Sequence, residues 1–557
     1  MKDDDVFTYL IGGKAGEGVK KAGTAATKFF LGLGRETFQM DDYQSLIRGG
    51  HNFSVVTSST RKVYSHHMKA DLVVNLDERS YEKHLDHTAE EGLMFYNSDD
   101  LEEDKKKGIG IALDSISKEY SKPDLIKGVA GIAILAACTG ADRERLKKLI
   151  EKEYSRGIEE NLSFAEEVYE LAEEKVDKTF ELDEGDSEST VLTGNESISL
   201  GAAAGGLDIY IGYPMTPASS ILHFFASHKD DLQIMPIHPE NEISVANMAV
   251  GATVPGARVM VGSSGGGLAL MEETISLAGM TEAPVLFVLA SRPGPSTGVP
   301  TYTEQADLNF ALNQGHGEFP LIVASPGSVK EAFHLSREML ELVWRYQTPG
   351  ILLTEKHMSE SSMTLDLELG SLSGYAEAKS EENGDDYKRY EYTEDGISPL
   401  RFPPSEELIK WNSYEHDQKG YTTEEAETVE KMHDKRREKN ETLFLDLQEK
   451  KTVNEFGEDG PVIFTFGSTT MSVREALEFG GIEAKIVQPA YLKPFPVWEL
   501  EEYKDERVIV VEQNSTGQLA QLLREKGGIV PETVIRKYDG RPFEPSELSE
   551  KIKEAVR

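Results

Sequence analysis

Between residues 207 and 305, short apolar runs alternate with segments of helical period. The runs are Ile209–Ile211, Ile234–Ile237, Arg258–Val261 and Val285–Ala290. Apolar stretches of this length, separated by helix-length segments, predict strand–helix units on a parallel sheet. Each run is followed by a polar or glycine-rich motif: GYPMTPASS, HPENEISVANMA, GSSGGGLALMEE and SRPGPSTGVPT. In an open parallel sheet the ligand crevice lies beyond the carboxyl ends of the strands. The pattern therefore predicts that Thr216, Glu242, Ser264 and Arg292 face one site.

The same alternation organises the chain on either side. Residues 6–11 (VFTYLI) predict a strand, followed by the turn GGKAGEG and a helix over VKKAGTAATKFFLGLG. A glycine-rich turn between strand and helix aims backbone N–H groups at a helix N-terminus, which suits an anion. Gly12, Gly13, Gly16 and Gly18 only approximate the GxGxxG spacing, however, and a tight turn explains them equally well. Arg48-Gly49-Gly50 precedes the alternating strand Phe53–Thr57. Further strands are predicted at 69–77 and 108–113, and helices at 126–139, 142–153 and 163–176. The acidic stretch 177–190 (DKTFELDEGDSEST) is poor in apolar residues and predicts an interdomain linker. A small-residue helix at 197–208 opens the next unit, which runs to about 358. From 359 to 457 the chain is charged and loses any period. Within it, 423–450 predicts a solvent-exposed helix spanning domains or an extended loop. GPVIFTFGSTTMSVREALE, EAKIVQPAYLKPFP and RVIVVEQNSTGQLAQLLRE then give a small α/β unit over about 458–557.

Composition narrows the possibilities. A chain of 557 residues is too long for one core and implies three or four domains. Its 59 basic and 98 acidic residues give a net charge of −39, which speaks against nucleic acid as a partner. A solvated acidic surface explains this charge, as an alternative to a cationic partner. The single cysteine, Cys138, lies in the apolar run VAGIAILAACTG and reads as a buried hydrophobe. One thiol holds neither a disulfide nor an iron–sulfur cluster within the chain. No run reaches the ~18 apolar residues of a membrane span. These features predict a cytoplasmic protein with no membrane contact.

The residues after the strands carry distinct chemistry. Glu242 sits among apolar and small residues at an expected helix start, where burial raises a carboxylate pKa unless a cation meets it. The bland alternative for Glu242 or Glu240 is interaction with the helix dipole. Thr216 lies between two prolines and offers a hydroxyl to a carbonyl oxygen, or an N-cap to the following helix. Ser264 and Gly265 belong to a turn whose small residues admit a flat ring close to the backbone. That turn lacks the Lys-Ser/Thr ending of a phosphate-binding P-loop. Arg292 suits two-pronged recognition of a carboxylate, or pins its loop by a salt bridge. Lys356 and His357, after GILLT, lie at the edge of this set without an assigned role.

Four blocks in order, GYPMTPASS, ENEISVANMAVGA, GSSGGGLALMEE and SRPGPSTGVPT, resemble the alpha subunit of 2-oxoacid:ferredoxin oxidoreductases. The order GG..GEG, RGG, ADLVV before them resembles the family's gamma domain, here N-terminally fused, with Gly16-Glu17-Gly18 replacing the family's Gly-Gln-Gly. The run VEQNSTGQLAQLLR resembles the family's transketolase C-terminal-like module. The resemblance implies an α/β protein with several parallel-sheet domains. These are a gamma-type domain (1–180), a thiamine-pyrimidine-binding domain (191–358), a charged connecting region (359–457) and a transketolase C-terminal-like domain (458–557). It implies that Glu242 contacts N1′ of thiamine diphosphate and that Ser264 and Gly265 lie by the pyrimidine ring. It implies further that Thr216 faces the 2-oxoacid, whose carboxylate Arg292 binds. The chain has no GDG motif followed at about thirty residues by Asn, and no CxxC set. The resemblance therefore assigns Mg²⁺, a [4Fe–4S] cluster and the diphosphate side of the cofactor to a beta subunit, in an (alpha-beta)2 assembly. The implied reaction is oxidative decarboxylation of a 2-oxoacid, with acyl transfer to coenzyme A and electrons to ferredoxin. The fused order favours 2-oxoglutarate; pyruvate and branched-chain acids are alternatives. A non-oxidative transketolase-type component, or a dinucleotide-binding regulatory module without catalysis, are the readings from other classes.

Overall fold

The structure, a computed structural model, describes residues 5–45, 49–101, 107–177, 179–367, 374–375, 377–381, 386–457 and 459–557. Arg48 of the RGG motif lies outside the described residues. The chain is α/β, built on sheets of eight, seven and five strands.

The central sheet of seven carries the expected units. In spatial order its strands are Tyr491–Lys493, Ile322–Ala324, Gly350–Glu355, Val285–Ser291, Val259–Ser263, Ile209–Ile211 and Met235–Ile237. All neighbours run parallel except the edge strand Tyr491–Lys493, which the C-terminal unit contributes. Val285–Ser291 and Val259–Ser263 are buried along their whole length. Helices cover both faces of a parallel sheet, so its inner strands read as continuous apolar runs. The helix Gly194–Ala204 begins with a capping box in which Thr193 and Glu196 satisfy each other's backbone N–H groups.

The N-terminal sheet is mixed. Phe7–Ala15, Ala70–Asn75, Thr88–Asn97 and Ile109–Ile111 are parallel. Gly49–Ser59 and Glu36–Asp42 continue it antiparallel. Two further strands join from beyond the acidic stretch, Ser362–Leu365 and then Thr190–Thr193. The strand Glu36–Asp42 has no apolar run to announce it; its polar residues are buried and bonded instead. Gln39 bonds Thr27 and Asp41, and Asp41 accepts from Ser54. Residues 179–189, without regular structure, lie along this unit. Phe180 N–H donates to the Cys138 carbonyl at 2.7 Å, and Arg35 donates to the Asp183 carbonyl at 2.7 Å.

The C-terminal sheet orders Val453–Phe456, Lys485–Pro489, Val462–Phe464, Val508–Glu512 and Thr533–Arg536, parallel except for the first. Before it, the helix Ala426–Gln448 lies in the charged region where the sequence predicts a solvent-exposed helix or an extended loop; most of its residues are exposed, but one set is not. It buries Met432, Leu443 and Leu447, and with them Lys435, Arg436 and Lys439. The reason is electrostatic: Lys435 and Lys439 both donate to the buried Glu282, and Arg436 pairs with Glu415 at 2.6 Å. Among the described residues no helix is long and apolar enough to cross a membrane.

Candidate active site

Four turns meet at the carboxyl end of the central sheet. The strands Ile209–Ile211, Val259–Ser263 and Val285–Ser291 stand side by side, so residues 76 apart in sequence become neighbours. Arg292 Nη1 donates to the Thr216 carbonyl oxygen at 2.8 Å. Ser264 Oγ donates to Met215 Sδ at 2.6 Å. The turns following the first, third and fourth predicted strands are thus held together directly.

Glu242 is the first residue of the helix Glu242–Thr253, and Asn241 caps that helix by accepting the Ser244 N–H at 3.0 Å. The cap leaves Glu242 free of capping duty. Its side chain is buried, and Oε1 is shielded from solvent without a hydrogen-bond partner. A buried polar atom left unpaired costs about 1–3 kcal/mol. Such an atom beside a crevice is suited to a ligand donor. Gly267 lies against it: a Cβ there would stand 3.1 Å from Glu242 Cγ and 1.9 Å from Ser263 Oγ. Glu240 is exposed, accepts the Ser244 hydroxyl at 2.6 Å, and is lowered chiefly by that bond. The two glutamates have therefore separated into a solvated one and a buried, unpaired one.

Ser264, fully buried, is the N-cap position of the helix Gly265–Thr281, although its hydroxyl goes to Met215 and not to the helix. Thr216 does not cap a helix either: Ser219–Ser227 starts at Ala218, which has no side chain to cap with. The Thr216 hydroxyl makes no hydrogen bond among the described residues, so its donor is available. Arg292 is half-buried, and burial lowers its pKa while Asp307 opposes the shift. No carboxylate stands within ion-pair distance of it among the described residues, so it does not pin its loop by a salt bridge. It reaches the Thr216 backbone and keeps donors for an incoming anion.

Sequence reasoning missed two acidic residues. Asp307 accepts the Ser291 hydroxyl at 2.7 Å, and a Cβ on Gly265 would come within 2.6 Å of its Oδ2. Burial raises its pKa against the opposing Ser291 bond and Arg292. Glu355 ends the strand Gly350–Glu355 and accepts the Ser468 N–H at 2.8 Å; burial pushes it up to about 7. TYTEQADL carries no periodic signal that singles out Asp307, and Glu355 closes an apolar run as an ordinary polar boundary. Lys356 and His357 turn away towards the N-terminal sheet. Lys356 Nζ donates to the Asp41 carbonyl at 2.5 Å, and the His357 ring packs on Phe38 and His66.

The glycine-rich turn near the N-terminus holds a carboxylate of its own. Glu17 accepts the Lys14 N–H at 2.7 Å and the Lys127 ammonium at 2.6 Å. A side-chain anion thus takes up a backbone donor that a phosphate would use.

These observations, a parallel sheet with a buried carboxylate, a small-residue cradle and an unpaired arginine at its carboxyl end, define a cofactor-assisted enzyme of the α/β class. Residues 200–435 match the model of the pyruvate flavodoxin/ferredoxin oxidoreductase thiamine-diphosphate-binding domain. Residues 8–171 match that of the pyruvate ferredoxin/flavodoxin oxidoreductase domain. The 2-oxoacid:ferredoxin oxidoreductase subunit alpha of Saccharolobus solfataricus is 30% identical over 622 aligned positions, covering 99% of this chain and 98% of the relative. The 2-oxoglutarate synthase subunit KorA of Archaeoglobus fulgidus is 30% identical over 60% of this chain and 90% of its own. Among solved structures, a 2-oxoglutarate:ferredoxin oxidoreductase from Magnetococcus marinus, with 2-oxoglutarate, coenzyme A and succinyl-CoA bound, aligns at a TM-score of 0.89. Its identity is 28%, over 99% of this chain and 100% of that one. The chain belongs to the alpha-subunit family of the 2-oxoacid:ferredoxin oxidoreductases.

Proposed function

We propose that this chain supplies the pyrimidine-side half of a thiamine diphosphate site that oxidatively decarboxylates 2-oxoglutarate, with acyl transfer to coenzyme A and electrons to ferredoxin. The observation that carries the reading is Glu242 Oε1, buried and without a hydrogen-bond partner among the described residues, beside the small residues Ser263 and Gly267. When bound, the cofactor supplies a carbanion equivalent that adds to the 2-oxo carbon and stores the electrons of the cleaved bond. In this reading Glu242 holds a proton towards the pyrimidine ring. Ser264 and Gly265 let that ring approach, because the Ser264 hydroxyl is turned onto Met215 and Gly265 has no side chain. Thr216 donates its hydroxyl to the substrate's 2-oxo oxygen. Arg292 binds the C1 carboxylate, held by its bond to the Thr216 backbone. Asp307, half-buried, accepts the Ser291 hydroxyl and so braces the strand end that precedes Arg292.

The surface beside the site supports a partner chain. The helices Glu242–Thr253 and Gly265–Thr281 expose Ile243, Met248 and Leu270, and the neighbouring strand exposes Met235, 59% accessible. Helices apolar on more than one side are normally covered, and clustered exposed apolar residues mark interaction surfaces. This face takes the beta subunit, which brings the diphosphate side with Mg²⁺ and a [4Fe–4S] cluster, in an (alpha-beta)2 assembly. Substrate choice rests on the 2-oxoglutarate-linked relatives and the fused domain order.

The test is to co-express the chain with a partner carrying GDG and CxxC motifs. Ferredoxin or viologen reduction is then measured with 2-oxoglutarate, pyruvate and branched-chain 2-oxoacids. The highest kcat/KM is expected for 2-oxoglutarate, and the isolated chain is expected to be colourless, without iron. A higher kcat/KM for pyruvate or a branched-chain acid reassigns the substrate. Iron–sulfur absorbance in the isolated chain overturns the two-chain site.

A further inference from the structure

Three histidines of the N-terminal unit form a hydrogen-bonded row. His51 comes from the strand Gly49–Ser59, His84 ends the helix Glu78–His84, and His87 closes the following turn. The Nε2 atoms of His51 and His84 are 3.0 Å apart, and the Nδ1 atoms of His84 and His87 are 2.9 Å apart. The seat for the middle ring is built into the backbone. A Cβ on Gly12 would stand 2.9 Å from His84 Cδ2, so the first glycine of GGKAGEG is what admits the imidazole. At the inner end Ser80 Oγ lies 3.3 Å from His51 Nδ1 and donates its own proton to Asp77 Oδ1. Asp77 is buried; its Oδ2 has no hydrogen bond, and the Lys14 ammonium lies 3.8 Å away. All three rings border a cavity of about 360 Å³ between this unit and the C-terminal segment, with His87 as the end of the row whose second nitrogen has no partner among the described residues. Tyr302, on the loop that follows Arg292, lines the same cavity, and the next residue, Thr303, donates its N–H to the Gly540 carbonyl at 3.1 Å.

The bonds fix the order of protons along the row. Ser80 gives its proton to Asp77, so it can only accept from His51 Nδ1–H. Neutral His51 then carries a bare Nε2, which accepts from His84 Nε2–H. The bare Nδ1 of His84 in turn accepts from His87 Nδ1–H. This leaves His87 Nε2 as a basic lone pair at the cavity end, with no partner among the described residues. A neutral imidazole has one donor and one acceptor nitrogen, and here each ring uses them in the same direction. Because every nitrogen between the rings is taken by a neighbouring ring, the trio is a wire and not a metal-ligating set.

Resting on the reading of the reaction proposed above, we infer that this row is a proton relay for the acyl-transfer half of the reaction. It takes the proton of the acyl-accepting thiol in the cavity. The thiol S–H bond breaks and His87 Nε2 gains the proton. His87 Nδ1–H passes to His84 Nδ1, His84 Nε2–H to His51 Nε2, and His51 Nδ1–H to Ser80 Oγ. The Ser80 hydroxyl proton passes to the Asp77 carboxylate. The thiolate forms its bond to the acyl carbon while the bond from that carbon to its carrier breaks, the carrier leaves with that electron pair, and no electrons pass to or from the electron carriers in this step. After the thioester leaves, the same bonds return the proton to cavity water through His87. Burial holds the three rings below the ordinary histidine range, so they rest neutral, each with one donor and one acceptor nitrogen.

The assembled complex carrying His84→Gln tests this. Glutamine keeps one donor and one acceptor in the middle of the row, but its amide does not hand a proton from end to end. Two rates are compared: 2-oxoacid-dependent dye reduction without thiol, and thioester formation after coenzyme A is added. The thiol step is expected to slow about 10²-fold and to lose its solvent deuterium isotope effect. Added imidazole is expected to restore part of the rate, while thiol-free dye reduction stays within two-fold. His87→Gln, at the half-exposed end, repeats the test if the first variant fails to assemble. A thiol step unchanged in both variants overturns the relay, as does an equal fall in both rates. Absence of thiol-free dye reduction in the unsubstituted complex instead overturns the proposed function and is read separately.

Discussion

Two buried glutamates separated by forty residues of sequence have opposite surroundings. Glu282 follows the helix Gly265–Thr281 and is fully enclosed. Lys435 donates to both its oxygens at 2.8 Å, Lys439 donates to Oε2, and the Arg389 charge lies close. Burial alone would raise its pKa, but the lysines hold it far below the carboxylate range. Glu242, at the start of the preceding helix, is buried with an idle oxygen and, among the described residues, no cation paired with it. A protein that only needs to bury a carboxylate supplies partners for it. On the function proposed above, the missing partners around Glu242 belong to a ligand site and the paired Glu282 to the scaffold, and each prediction below breaks or sharpens that contrast.

The largest effect is expected from Glu242→Gln in the assembled complex. Turnover should fall about 10²–10⁴-fold with thermal stability preserved, because an isosteric amide fits a pocket that offers no cation. Glu240→Gln, on a solvated carboxylate, should leave turnover unchanged. Steady-state ferredoxin reduction and a melting curve on both variants check this, and the reverse ranking would move the catalytic role to Glu240.

Glu282→Gln should show the opposite profile. Removing one partner of a buried ion cluster costs about 3–5 kcal/mol, because two lysines are left without their anion. Denaturant unfolding should record the loss, while activity per folded molecule persists. The sign with pH follows from the depressed carboxylate. Its stabilisation is complete above the ordinary carboxylate pKa and fades as pH falls towards its folded value. Acid unfolding of the substituted chain should therefore be less pH-dependent than that of the native chain.

Glu355 lies between the two extremes, bonded to a backbone N–H but not to a cation, with its pKa raised to about 7. A carboxyl with a raised folded pKa binds its proton more tightly when folded, so stability falls as pH rises from about 4.5 to 7. Across that window the shift corresponds to roughly 3–4 kcal/mol. Glu355→Gln should flatten this part of the stability profile, measured by denaturant midpoints at several pH values. An unchanged slope would place the titration elsewhere.

The smallest effect is expected from Arg292→Lys. Lysine keeps the charge and loses the planar fork, so KM for the 2-oxoacid should rise about ten-fold. KM for coenzyme A and the melting temperature should change little. A fall in melting temperature with KM intact would make Arg292 a loop brace.

The sequence alone located the strand–turn–helix units of the central sheet. The continuous apolar runs Val259–Val261 and Val285–Ala290 are legible because both faces of the sheet are covered. Thr216, Glu242, Ser264 and Arg292 were legible as a set because each follows such a run. The sequence did not announce the strand Glu36–Asp42, whose polar side chains find their partners across the fold, Gln39 in Thr27, Asp41 in Ser54 and Glu36 in Lys62 and Thr364. It read 423–450 as an exposed helix or an extended loop and did not announce the residues that the helix Ala426–Gln448 buries. Lysines on a helix read as solvated until a carboxylate 153 residues away proves to be buried against one of them. Asp307 and the histidine row were invisible for the same reason: hydrogen bonds join groups close in space, and the sequence does not encode that closeness in any period. Local pattern, set by the burial of successive side chains, determined the elements and where the turns fall. Which polar groups meet, and which buried oxygen is left without a partner, was decided only when the strands were laid side by side.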